Sequence, residues 1–162
     1  MRLYVPATRN DLDTVTTTTA RATWPIGPRV AHAVTPALRA ELPDEDDEGL
    51  EYAAWLAAAD DSLGLVLQGA SSPLRVVVTV EVPDGVVGTA VESGDDVSSS
   101  TVQVTDDVDA QVVCAHVDET DAGPDVLRVG QVAEADLDDA LQAVVDRDLL
   151  WYDWTELDQA PR

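Results

Sequence analysis

Residues 112–117 read Val112-Val113-Cys114-Ala115-His116-Val117, an almost unbroken apolar run. A run of this length with no polar alternation is the pattern of a central strand covered on both faces. Residues 74–82 carry the complementary pattern. Leu74, Val76, Val78, Val80 and Val82 make one wholly apolar face, and Arg75, Thr79 and Glu81 fall on the other. Residues 49–68 supply a cover. Tyr52, Trp55, Leu56, Ala59, Leu63, Val66 and Leu67 recur at helical spacing and predict one apolar stripe, with Asp60 and Asp61 outside it. A helix of that length spans ~30 Å, enough to cross a sheet face.

Outward from these segments, Leu3-Tyr4-Val5 predicts a first strand closed by Pro6. Asn10 is placed to cap a short helix, which the β-branched run at 16–19 weakens. Residues 24–28 (Trp24-Pro25-Ile26-Gly27-Pro28) read as a turn-rich connector and 30–34 as a second strand. Thr35-Pro36 marks a helix start and Gly69 the end of the long helix. Residues 88–100, small and polar, are expected to be the most mobile internal segment. Val102 and Val104 suggest a short strand, and the turn at Asp106-Asp107 leads into the central one. Weak helical periodicity over 124–133 precedes a better stripe at Leu137, Ala140, Leu141, Val144 and Val145, with Asp136 as candidate N-cap. Residues 149–153 (Leu149-Leu150-Trp151-Tyr152-Asp153) predict a last strand. The expected fold class is α/β, a single domain over 1–157 with a mixed β-sheet flanked by helices, followed by a polar C-terminal end at 158–162. The alternative is α+β with an antiparallel sheet, because no helix separates the strands near 74–82 and 101–106.

Charge narrows the function classes. The chain has no lysine, and Asp+Glu 32 against Lys+Arg 9 leaves a net charge of -23 over 162 residues. Hydrophobic residues at 45% are ample for a core, and with no phenylalanine that core is Val, Leu and Ala with four tryptophans. Size scaling gives a folded surface of roughly 7,800 Å², or a mean spacing near 18 Å between net charges. Repulsion over that distance is mostly screened at physiological salt, where the Debye length is about 8 Å, and unscreened in dilute buffer. Nucleic-acid binding rests on clustered cations that displace counterions, and the nine arginines are scattered, so neither nucleic acid nor an anionic membrane surface is an expected partner. A protein partner of unknown identity is the class left open; the acidity itself reads first as genomic composition or a salty environment, with imitation of nucleic acid toward a basic protein as the alternative. Cys114 is the single cysteine and lies inside an apolar strand, which predicts an inert thiol. No window approaches ~18 consecutive apolar residues, and no secretory leader is legible at the start, so a cytoplasmic location is expected.

Motifs for chemistry are sparse. Asp44-Glu45-Asp46-Asp47-Glu48-Gly49 copies the opening of a calcium loop but has Trp55 where the bidentate glutamate belongs. It reads better as carboxylates set against the positive end of the long helix. Cys114, His116 and Asp118 share one strand face, an alignment expected by chance in a strand of this composition, so a structural reading stands ahead of a zinc site. His32 is the only other histidine. Neither a Gly-x-Ser-x-Gly elbow nor a phosphate loop occurs. Asp118 and Glu119 follow the central strand, the position where open sheets place ligands. The cluster Trp151-Tyr152-Asp153-Trp154 either anchors the last strand or faces a partner. No residue is assigned as catalytic, cofactor-binding or metal-ligating.

Several stretches in order resemble a family of small uncharacterised proteins from actinobacteria, a domain of unknown function. They are Arg2-Leu3-Tyr4-Val5-Pro6-Ala7-Thr8, His32-Ala33-Val34-Thr35-Pro36-Ala37-Leu38-Arg39, Leu50-Glu51-Tyr52-Ala53-Ala54, Arg75-Val76-Val77-Val78, Ala115-His116-Val117-Asp118 and Asp148-Leu149-Leu150-Trp151-Tyr152-Asp153. The run at 16–19 and the acid block at 44–48 depart from its pattern. The resemblance implies a single cytoplasmic domain and no activity. The leading expectation is a non-catalytic interaction or regulatory domain without a cofactor. One alternative is a small metal-assisted hydrolase or transferase using Asp118, Glu119 and a histidine at the end of strand 112–117. Another is an acidic decoy that binds a basic protein.

Overall fold

Alternating and continuous apolar segments pair into one nine-stranded sheet in a computed structural model that describes residues 1–89 and 97–161. The elements are β1 (Arg2–Ala7), α1 (Arg9–Leu12), β2 (Thr16–Thr17), β3 (Ala22–Ile26), β4 (Arg29–His32), α2 (Pro36–Glu41) and α3 (Asp47–Leu67). There follow β5 (Val76–Glu81), β6 (Val87–Thr89), β7 (Thr101–Val104), β8 (Val108–Asp118), α4 (Gly123–Val129), α5 (Leu137–Val145) and β9 (Leu149–Asp153). Strand order is β2-β3-β8-β5-β1-β4-β7-β6, with β9 on β8. The chain is therefore the sheet-and-helix domain the patterns predict. Every pairing among the described residues is antiparallel, so of the two sheet arrangements the antiparallel one is adopted.

β8 is the central strand, as its apolar run predicts. One edge carries β5. The other is shared by two strands in line, β3 against 108–112 and β9 against 114–118. The change of neighbour coincides with a register shift opposite Thr79/Val80, where Val113 is skipped. A bulge reverses the facing of all later side chains. Ala110 and Val112 point to the inner core before it, Ala115 and Val117 after it. That inner face also collects Leu3, Val5, Trp24, Val76, Val78, Val80 and Val104. The sheet curls around this core. Arg29 of β4 lies 4.9 Å over the Trp24 ring of β3, although three strands separate them in the sheet order.

The outer face is covered by α3. Asp46 caps it, accepting from the Gly49 N–H at 2.9 Å, and Gly69 ends it with φ 108, a left-handed conformation that glycine adopts without penalty. Its buried side chains are Leu50, Ala54, Ala58, Ala59, Ser62, Leu63 and Val66. The expected stripe is thus half displaced: Tyr52 and Leu56 are 59% and 41% exposed. Small residues face the sheet because alanine lets the helix backbone approach closely. Ser62 uses that approach, donating to the Ala7 carbonyl and accepting from the Val76 N–H, each at 2.8 Å. The far end of α3 packs with α4 and α5 through Val126, Val129, Ala140 and Val144.

Other departures have local causes. Residues 22–26 are a strand rather than a connector. Pro25 is tolerated there because β2 pairs only with Ala22 and Thr23, leaving the outer edge at Pro25 without a neighbour among the described residues. Thr8, not Asn10, begins α1, tied by its N–H and hydroxyl to the Asp11 carboxylate. Most of the segment expected to be mobile lies outside the described residues, but Ser98 to Ser100 is built into the fold. The Thr35 hydroxyl donates to the Ser99 carbonyl and accepts from the Leu38 N–H, which starts α2 where Thr35-Pro36 predicts. Leu157 and Ala160 are buried in the inner core.

Candidate functional site

A groove of about 700 Å³ lies on the outer face, over the second half of β8. Tyr4 enters from β1, Tyr52 and Trp55 from α3, His116 from β8, and Asp148 and Leu149 from the start of β9. Tyr52 and Trp55 are three residues apart on one helix, so their rings stack, with centroids 5.6 Å apart and planes 18° from parallel. The same indole meets His116 edge-on at 5.2 Å. Trp151 stands opposite His116 in the strand register and is 57% exposed. An aromatic band therefore runs from α3 across β8 to β9. Its neighbours Tyr152 and Trp154 pack against the inner core, so the C-terminal aromatic cluster anchors the last strand as expected, while Trp151 is left exposed.

Carboxylates ring the aromatic floor: Asp46, Glu48, Glu51 and Asp148. Two are already engaged, Asp46 as helix cap and Glu51 by Arg2 at 3.4 Å. Glu48 and Asp148 make no ion pair among the described residues. Burial, reinforced by Glu51, pushes the Tyr4 hydroxyl well above its ordinary pKa. Burial also pulls His116 below the usual imidazole value, favouring the neutral ring. Trp55 Nε1 and His116 Nδ1 are buried without a hydrogen-bond partner among the described residues. The negative rim and π faces suit a cation, and the neutral imidazole does not oppose one.

The residues singled out from sequence are distributed elsewhere. Cys114, His116 and Asp118 do share the outer face of β8, but Asp118 is wholly buried against Arg75. Arg75 donates from Nη2 to Oδ1 at 2.8 Å and from Nε to Oδ2 at 3.0 Å, and its backbone N–H reaches Oδ2 at 2.8 Å. Wholly buried, with both oxygens bonded to Arg75, this carboxylate is not open to a substrate, and among the described residues neither histidine bonds to it. Glu119 is exposed just beyond the strand. Arg9 is buried beside Asp13 at 3.3 Å. Burial raises the Cys114 thiol pKa, as for an inert cysteine. Among the described residues no group of three or more His, Cys, Asp or Glu is placed to hold a metal ion.

One constellation has no motif that announces it in the sequence. His32 Nδ1 lies 2.8 Å from the Ser100 hydroxyl and Nε2 lies 3.1 Å from Asp61, while Ser98 and Ser100 hydroxyls are 2.8 Å apart. Serine, histidine and aspartate in contact invite comparison with a hydrolase triad. Ser100 is fully buried, however, and a nucleophile must reach its electrophile. The group is a polar tie joining β4, the turn at 98–100 and α3. Its only sequence signal was the Ser98-Ser99-Ser100 cluster, which composition assigns to a loop.

The fold and groove define a class: a sheet-and-helix domain with a curled antiparallel sheet and a carboxylate-ringed aromatic groove on its outer face. The chain belongs to a family of unknown function, DUF6912, whose model matches residues 1–160. No curated protein and no solved structure matches it. Among the described residues, no helix is long and apolar enough to cross a membrane.

Proposed function

We propose that this is a non-catalytic interaction domain, acting in the cytoplasm, that captures a cationic side chain of a basic protein partner in the groove. The carrying observation is the stacked Tyr52–Trp55 pair with His116 at its edge inside a ring of four carboxylates. A cation over such rings gains about 0.5–1 kcal/mol when exposed and roughly 2 when desolvated. The net charge of -23 adds long-range attraction for a basic partner and repels nucleic acid and anionic membrane. A buried lone thiol accords with a reducing compartment. The acidic-decoy reading becomes a special case, with the groove supplying the specific contact.

The test is a titration with N-acetylarginine amide at low salt, followed by tryptophan fluorescence. Saturable binding is expected, weakened about threefold by Tyr52→Ala, the loss of one exposed cation–π contact. Asp148→Asn should weaken it further. Binding that ignores both substitutions rejects the proposal.

A further inference from the structure

We propose that β9 is a docking edge: an extended basic segment of the partner adds to it as a further strand and sets one cationic side chain in the groove. The inference rests on the function proposed above and names the form in which the cation arrives. Among the described residues β9 pairs with β8 alone. Leu150 and Trp151 point to opposite faces of this edge strand and are 38% and 57% exposed. Edge strands ordinarily avoid presenting apolar side chains to water on both faces. An added strand covers both at once and bonds to backbone groups on the side of β9 away from β8.

Geometry links the edge to the groove. Asp148 and Leu149 belong to both, and Trp151 continues the aromatic band through His116 to Trp55. A neighbouring strand would lie about 5 Å from β9, so an arginine or lysine on its outer face reaches the groove rim.

Charge selects the occupant. Asp148 and Asp153 flank the edge, and a second copy of this chain would bring the same two carboxylates and another net charge of -23 against them. A basic segment meets no such repulsion.

The experiment uses a peptide of alternating arginine and valine, two versions N-methylated on one or other alternate set of amides, and N-acetylarginine amide as the cation alone. An added strand donates from one set only. One methylated peptide should bind at least tenfold more weakly than the parent and the other about equally, and the parent should slow amide exchange across 149–153. Equal binding of all three peptides, or unchanged exchange at 149–153, overturns the docking edge. The groove then still stands if Tyr52→Ala and Asp148→Asn weaken N-acetylarginine amide, and falls if they do not. Dimerisation of the protein alone through 149–153 at ~0.5 M salt, where the Debye length is only a few Å, would give the edge to a second copy and overturn the basic occupant.

Discussion

At the scale of single residues, the consequential contact is the Arg75–Asp118 pair. It closes the start of β5 onto the end of β8, and Arg75 Nη2 also donates to the Arg147 carbonyl at 3.1 Å, just before β9. Both side chains are buried, so desolvation offsets much of their attraction, and removing one partner strands the other's charge. Arg75→Met should therefore destabilise by about 3–5 kcal/mol in chemical denaturation. The double substitution Arg75→Met with Asp118→Leu should recover much of that loss. A single variant as stable as the parent would show the pair to be dispensable. The alternation of residues 74–82 placed Arg75 on the outer face correctly. Its partner lies 43 residues away, and no local pattern encodes that distance.

At the scale of elements, α3 shows where periodicity reaches and where it stops. Its length, acidic start and terminating glycine were legible, because each is decided within a few residues, whereas the capping role of Asp46 was not. Neither was the buried face. Hydrophobicity favours Tyr52 and Leu56 for the core, yet Ala54 and Ala58 hold it, since close approach to β1 and β5 leaves room only for small side chains. Ala58→Leu should thus overpack and cost about 1–3 kcal/mol, while Leu56→Ala should stay within about 0.5 kcal/mol. Thermal or urea unfolding of the two variants separates the faces, and the reverse ranking would restore the bulky stripe. The displacement also creates the candidate site, because it frees Tyr52 to stack on Trp55 above the sheet. In β8 the bulge at Val113 is likewise hidden, since a continuous apolar run reads the same in either register.

At the scale of the whole molecule, the surface is 8915 Å², about 390 Å² per net negative charge. Ion pairing does little to relieve this, because few cations are available. Stability should rise with added salt as the Debye length shortens from about 30 Å at ~0.01 M to about 8 Å at physiological strength. Each ~1 kcal/mol of repulsion removed should raise Tm by roughly 2–4 °C. A Tm that does not move between dilute buffer and moderate salt would mean the carboxylates are already compensated.

By itself the amino-acid order determined where most strands and helices lie, that β8 is central, and that carboxylates dominate the exterior. These follow from repeats of two or 3.6 residues and from composition, which are local quantities. Only the tertiary structure decided that every strand neighbour is antiparallel, that alanine rather than tyrosine meets the sheet, and that Tyr52, Trp55 and His116 gather among four acids. Those outcomes depend on how closely distant backbones approach and which edges remain for pairing, and such distances are set only when all the elements pack together.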